Sequence, residues 1–335
     1  MRKIIIFLSL ILALTAIAGN HYESKGKPTQ RLRVGLVLGG GGAKGAATVG
    51  VLKTIEKSGI PIDYIAGTSI GSIVGGMWAC GMRSEQLEEL FQSQEWGSLL
   101  TDRNDAYKNK IWKKEDGVVY VFGFPVAGKG KKEKKNGRKT IGLVRGEKIV
   151  HLLDSLSGNR DSMSFDKLPI PFKCVATDIV SEHEVVLDHG NLVTAMRASM
   201  AIPGLFKPVE LDSMVLVDGG MCNNLPVDVV RAMGADVVIA VDLTQNKHED
   251  REEKDIWEKL HLHGLAEWIL SRPDISKYNA NRANADIYIN PQLEGFDALS
   301  FQPDKIEKMI AIGEQTGKKY RKALRRLKKR VLRGK

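Results

Sequence analysis

Apolar residues in this chain fall into short unbroken runs, separated by longer stretches in which they recur every three or four positions. The runs have the length of strands: Leu32 to Leu38, Tyr64-Ile65-Ala66, Pro171 to Thr177, Glu184 to Leu187, Ser213 to Val217, Val237 to Val241 and Asp286 to Ile289. Between them the period is helical. Ala47, Val51, Leu52 and Ile55 predict a helix from Ala43 to Lys57, stopped by Gly59. Further helices are expected after Gly71, over Ser84 to Phe91, Gly146 to Leu156, Asn191 to Ser199 and Val227 to Met233, and from Pro303 onwards. Runs that are apolar throughout are buried on both faces, which is the mark of a mainly parallel sheet covered by helices on each side. The pattern therefore predicts an α/β fold, with Pro171–Thr177 and Glu184–Leu187 paired as a hairpin. No internal repeat is present, and a single domain over residues 32–302 fits the order of elements.

The two ends and one internal stretch depart from this pattern. Arg2 and Lys3 precede an apolar run that closes on Ala16-Ile17-Ala18. A basic start, a short apolar core and a small-x-small end describe a secretory signal peptide over residues 1–18. The alternative is an uncleaved anchor, but Ile4 to Ala18 is 15 residues, short of the ~20 that a span needs. Residues 19–31 read as a linker. Export to the periplasm, the outer-membrane surface or the medium is the expectation.

Composition adds little to the class but much to the ends. The 335 residues are 43% hydrophobic and carry a net charge of +10. That excess lies in two places. Lys129 to Lys139 has seven cations and one acid, inside a basic insertion at about 105–145, and Lys318 to Lys335 has eleven cations and no acid. Tyr320, Leu324, Leu327 and Val331 recur at helical spacing in that tail, so residues 303–335 are expected to form a basic amphipathic helix. Its stripe can meet an anionic membrane surface or pack on the body of the protein; nucleic acid is the less favoured partner. Three cysteines exclude a disulfide scaffold, and no Cys/His spacing suggests a metal.

The chemistry centres on Gly67-Thr68-Ser69-Ile70-Gly71, between an apolar run and a helix. A serine on such a turn is held in strained geometry with its hydroxyl presented, as in a nucleophile elbow. Upstream, Gly39-Gly40-Gly41-Gly42-Ala43-Lys44-Gly45 joins a strand to a helix N-terminus, so that several amides face one point. The same loop matches a dinucleotide fingerprint, but no acid ends the next strand. A P-loop would need Ser or Thr where Gly45 stands. For a base, His248, His261 and His263 are candidates for a Ser-His-Asp arrangement. Asp218 is the other candidate, directly after an apolar run and before Gly219-Gly220, read as the carboxyl end of a parallel strand. An ordinary Asp-Gly turn also fits there.

Gly40-x-Gly42-x-x-Gly45, Gly67-x-Ser69-x-Gly71 and Asp218-Gly219-Gly220, in that order, resemble the patatin-like phospholipases, in the bacterial branch related to neuropathy target esterase. Val175 to Asp178, Ala198 to Phe206 and Asn223 to Val227 share the likeness, which extends from about Leu32 to Tyr320. The resemblance implies a three-layer α/β/α patatin-like fold and a Ser-Asp dyad that cleaves phospholipids or lysophospholipids through an acyl-enzyme. Carried over, Ser69 is the nucleophile and Asp218 the base. The oxyanion hole comes from the loop Gly40, Gly41, Gly42, Lys44 and Gly45, centred on Gly41 and Gly42. Gly67, Gly71, Gly219 and Gly220 shape the motifs, and neither metal nor cofactor is implied. The rivals are an idle lipid-binding or assembly protein on the same fold, and a Ser-His-Asp esterase.

Overall fold

The computed structural model describes residues 31–102, 142–158, 160–245 and 275–334. The signal peptide, nearly all of the linker, most of the basic insertion and His248, His261 and His263 lie outside the described residues.

An eight-stranded sheet forms the centre. Its strands in chain order are β1 (Val34–Leu38), β2 (Tyr64–Thr68), β3 (Phe172–Asp178), β4 (His183–Leu187), β5 (Val209–Leu211), β6 (Met214–Asp218), β7 (Val237–Val241) and β8 (Ile287–Ile289). The spatial order is β8-β7-β1-β2-β3-β6-β5, with β4 also paired to β3. The strands β8, β7, β1, β2 and β3 are parallel. β3 and β4 form the expected antiparallel hairpin.

The helices that matter are α1 (Gly45–Ser58), α2 (Ile70–Ala79), α3 (Ser84–Ser93), α4 (Glu147–Ser157), α5 (Leu192–Ser199), α6 (Val227–Ala232), α7 (Ile275–Ala283) and α8 (Pro303–Arg333). Alternate residues of β1 serve two cores. Leu36 and Leu38 pack with Val51 and Leu52 of α1, Ile73 of α2 and Leu192 of α5. Val37 packs with Val227 and Val230 of α6 and Tyr278 of α7. Burial on both faces is why the strand sequences are apolar throughout, and three α/β/α layers result.

One expectation is corrected by the sheet, and one open alternative is decided by the last helix. β6 is antiparallel to both its neighbours, so Asp218 does not end a parallel strand. The C-terminal helix does not keep its apolar stripe for a membrane. Leu324, Leu327 and Val331 are buried in the main core and Tyr320 packs against it. α8 runs alongside α1 with backbones in contact: a Cβ on Gly313 would lie 2.0 Å from the Ala47 carbonyl oxygen, and one on Gly50 2.1 Å from that of Ile310. Further on, Lys328 Nζ donates to the Ser58 carbonyl at 3.1 Å, and the Leu32 N–H donates to the Val331 carbonyl at 3.3 Å. The basic half of α8 thus ends beside the amino end of β1, away from the carboxyl ends where Ser69 stands. Among the described residues no helix is long and apolar enough to cross a membrane.

Candidate active site

Ser69 sits between β2 and α2 with φ 54° and ψ −126°, a region that side chains rarely adopt and that costs ~1–3 kcal/mol. The turn holds because its neighbours leave no alternative. A Cβ on Gly67 would lie 2.3 Å from the Gly71 carbonyl oxygen, and one on Gly71 2.1 Å from that of Leu38. The elbow is pressed directly onto the end of β1. The Ser69 N–H donates to Ser199 Oγ at 2.9 Å, and Ser199 Oγ donates to the Val175 carbonyl at 2.6 Å. One hydroxyl therefore ties the elbow to β3. The Ser69 side chain stands at the start of α2, where unbonded amides and the helix dipole favour developing negative charge.

Strand register brings Asp218 to Ser69. β4 occupies one edge of β3 from Cys174 to Asp178. The other edge is shared: β2 pairs with it up to Thr68↔Val175, and β6 pairs from Leu216↔Asp178 down to Asp218↔Ala176. The two strands approach head to head and stop at adjacent positions. Ser69 Oγ donates to Asp218 Oδ2 at 2.7 Å, and the Gly220 N–H donates to Oδ1 at 2.8 Å. Gly219 permits the chain to turn away at once, since a Cβ there would lie 2.1 Å from the Val175 carbonyl oxygen. Asp218 is fully buried and Ser69 is 2% exposed. Burial raises the Asp218 carboxyl to about 7, against the lowering effect of the Ser69 and Gly220 hydrogen bonds. Among the described residues no cation partners this carboxyl, so desolvation dominates.

The glycine loop is narrower in function than its sequence suggests. Gly40 N–H donates to the Asn224 carbonyl at 3.2 Å and Lys44 N–H to the Gly41 carbonyl at 3.2 Å. Gly45 N–H bonds back to Ala43 and Gly42. These three amides are already engaged by backbone carbonyls, that of Gly40 by Asn224 and the other two within the loop. The amides of Gly41 and Gly42 carry no bond among the described residues. Gly40 has a different role, as a gap beside the serine. A Cβ on it would lie 3.1 Å from Ser69 Cβ and 2.3 Å from Asn224 Oδ1.

Three supporting residues carried no assigned role in the sequence. Ser199 accepts from the elbow amide. Asn224 holds Gly40 through its backbone carbonyl and through Nδ2, 3.4 Å from the Gly40 carbonyl oxygen. Asn223 accepts the Thr68 hydroxyl on its carbonyl at 2.8 Å, while its Nδ2 donates to Asp228 at 2.8 Å. All three stand in stretches singled out for their likeness to the family, but the roles depend on contacts made across the sheet.

The arrangement offers a hydroxyl beside a buried carboxylate of near-neutral pKa, with two free amides on the adjoining loop. Such a group can deprotonate the serine and return the proton to a leaving oxygen. Among the described residues no histidine bonds to Ser69 or Asp218, and no cluster of three or more His, Cys, Asp and Glu side chains is gathered to hold a metal.

Comparison with known proteins gives this site a context. The chain is 34% identical over 211 residues to an uncharacterized NTE family protein of Mycobacterium tuberculosis, covering 63% of this chain and 49% of that one. It is 27% identical over 311 residues to human patatin-like phospholipase domain-containing protein 6, covering 85% of this chain and 20% of that protein. With lysophospholipase NTE1 of Candida glabrata it shares 29% over 313 residues, 87% of this chain and 16% of that one. It thus spans no more than about half the length of these relatives. Among solved structures, VipD from Legionella pneumophila aligns over 92% of this chain and 73% of its own, at 16% identity and a TM-score of 0.49. The family model described as patatin-like phospholipase matches residues 36–231. That match spans more than half of the chain and includes the glycine loop, the serine elbow and Asp218, and the chain belongs to the patatin-like phospholipase family.

Proposed function

We propose that this protein is a serine acyl hydrolase that cleaves carboxylic esters of phospholipids or lysophospholipids through a Ser69–Asp218 dyad. The observation that carries the reading is the 2.7 Å hydrogen bond from Ser69 Oγ to Asp218 Oδ2, at a strained elbow, in a site with no histidine partner among the described residues. In the proposed sequence Asp218 accepts the serine proton as Oγ attacks the ester carbonyl. The carbonyl oxygen takes the negative charge and receives the Gly41 and Gly42 amides, each donor contributing ~3 kcal/mol. The bond to the alcohol breaks, and Asp218 returns its proton to that oxygen. Water then attacks the acyl-enzyme with Asp218 again as base, and the released Oγ recovers a proton from Asp218. The signal-peptide pattern of residues 1–18 in the sequence supports export.

Fluorophosphonate labelling tests the reading. Wild type should be labelled at Ser69, S69A should not, and hydrolysis of a monomeric short-chain ester should vanish in S69A and D218N. Full ester hydrolysis by either variant refutes the dyad. Absence of both labelling and hydrolysis in the wild type assigns the chain to an idle lipid-binding or assembly role.

A further inference from the structure

A lipid hydrolase must reach a substrate whose ester lies at the boundary between headgroups and acyl chains. The basic tail does not supply that contact, because its stripe is buried at the other end of the sheet. Among the described residues five large apolar side chains are exposed: Leu156, Ile179, Val180, Val186 and Leu332. Three of the five belong to the β3–β4 hairpin. Ile179 is 46% exposed and Val180 59%, side by side on the turn.

The placement of that turn is set by register. Ala176 is level with Asp218, and hence with Ser69. Ile179 stands three residues further along the same strand direction, so the tip extends ~10 Å past the serine at ~3.3 Å per residue. It projects at the carboxyl ends of the parallel strands, the side on which sites in such sheets open. The turn is also rigid. Asp178 accepts from the Val215 N–H at 2.9 Å, the Ser181 hydroxyl at 2.7 Å, and the Val180 and Ser181 amides at 3.2 and 3.1 Å. The Ile179 N–H donates to the Val215 carbonyl at 3.0 Å. These bonds, that of Val215 foremost, hold the Asp178 carboxyl down to about 2. Two apolar side chains are thus kept in water by a braced turn that could have carried polar residues at no packing cost.

The geometry points to Ile179 and Val180 as an interfacial tip that enters the lipid surface and sets Ser69 at the depth of the ester. The ~5–10 Å to which apolar side chains of interfacial elements enter a bilayer boundary matches the reach of this turn. Its rim carries Glu182, Glu210 and Asp212, all exposed, so the surface it fits has zwitterionic rather than anionic headgroups. This inference rests on the proposed lipid hydrolase reading, and adds to it how the substrate phase is recognised.

The test uses the full chain, phosphatidylcholine vesicles and a monomeric short-chain ester. The double variant I179S/V180S should lose at least ~10-fold in vesicle flotation and in vesicle hydrolysis, since each buried aliphatic side chain is worth about that factor or more. Its hydrolysis of the monomeric ester should stay at the wild-type rate. V180W should bind vesicles at least as well as wild type, with a blue shift of its added fluorescence. Equal flotation and hydrolysis by I179S/V180S and wild type overturn the tip. So does a parallel loss on the monomeric ester, which would place these residues in the site or the fold. A self-association or protein complex that the double variant alone abolishes, without change on vesicles, also overturns it. Flotation is measured in the S69A background as well, so that the tip is read even where hydrolysis, and with it the dyad, fails.

Discussion

Thr68 and Asp218 end two strands that run towards each other along one edge of β3, pairing with the successive residues Val175 and Ala176. Ser69, one residue beyond Thr68, therefore meets a carboxylate 149 positions away in sequence at hydrogen-bond distance. Neither residue depends on a flexible loop for its position, which is the condition for a two-residue site to work without a third group to orient it.

Activity should follow the ionisation of Asp218. In the proposed dyad the carboxylate accepts the serine proton, so kcat/KM on a monomeric ester should rise with pH and level off above an apparent pKa of about 7. A pH-rate profile of the free enzyme reads this value. A profile flat from about pH 5 to 9 contradicts Asp218 as the base.

The same burial makes the site a weak point in stability. The folded pKa of Asp218 is raised above its unfolded value, so the native state binds the extra proton and stability falls as pH rises from about 4 to about 7. Above that the full penalty persists. D218N removes it, and should be more stable than wild type at pH 8 by up to about 4 kcal/mol. The difference should shrink towards pH 4. Denaturant unfolding at the two pH values measures it.

Ser199 joins the elbow to β3, and S199A leaves the buried Ser69 amide and Val175 carbonyl without this partner. The expected loss is ~1–3 kcal/mol of stability, with a fall in kcat and little change in KM. S199T, which keeps the hydroxyl, should recover most of the rate.

Gly40 is the loop glycine that packs against the Ser69 side chain. G40A puts a methyl 2.3 Å from Asn224 Oδ1 and 3.1 Å from Ser69 Cβ, so the loop must shift. A loop displaced from the carbonyl oxygen should reduce kcat by ~10²–10³, the effect of one lost oxyanion donor, with a loss of stability of only ~1–3 kcal/mol from overpacking. Unaltered kcat argues against the loop as the oxyanion site.

The tail should behave as core rather than as an anchor. Leu324 is fully buried, and L324A should destabilise by ~2–5 kcal/mol. Replacing the exposed Arg325 and Arg326 by Gln should change stability by less than ~0.5 kcal/mol each. Thermal or denaturant unfolding separates the two.

Much of the architecture was legible along the chain. Apolar runs such as Val237 to Val241 can be satisfied only between two helical layers, and the 3.6-residue period marks the layers themselves. Gly67-x-Ser69-x-Gly71 announced a serine turn because the sharp turn itself leaves no room for a Cβ on Gly67, while Gly71 is required by the Leu38 carbonyl of β1. The Asp218 strand was different. Met214 to Asp218 reads alike in either direction, since periodicity carries no information about strand polarity. Only pairing with β3 and β5 made it antiparallel. The tail was ambiguous for a related reason: an apolar stripe specifies that a face is covered, and not by what.

The sequence by itself determined the class of the fold, the serine, its glycine loop and the carboxylate to suspect, because each is written in local pattern or steric need. Tertiary structure decided which two residues meet, which amides are free and which surface is left apolar. Those depend on the register between β2, β3 and β6, on bonds such as Gly40 to Asn224, and on α8 closing over α1. Each joins segments far apart in the chain, whose energies exist only once the sheet has formed.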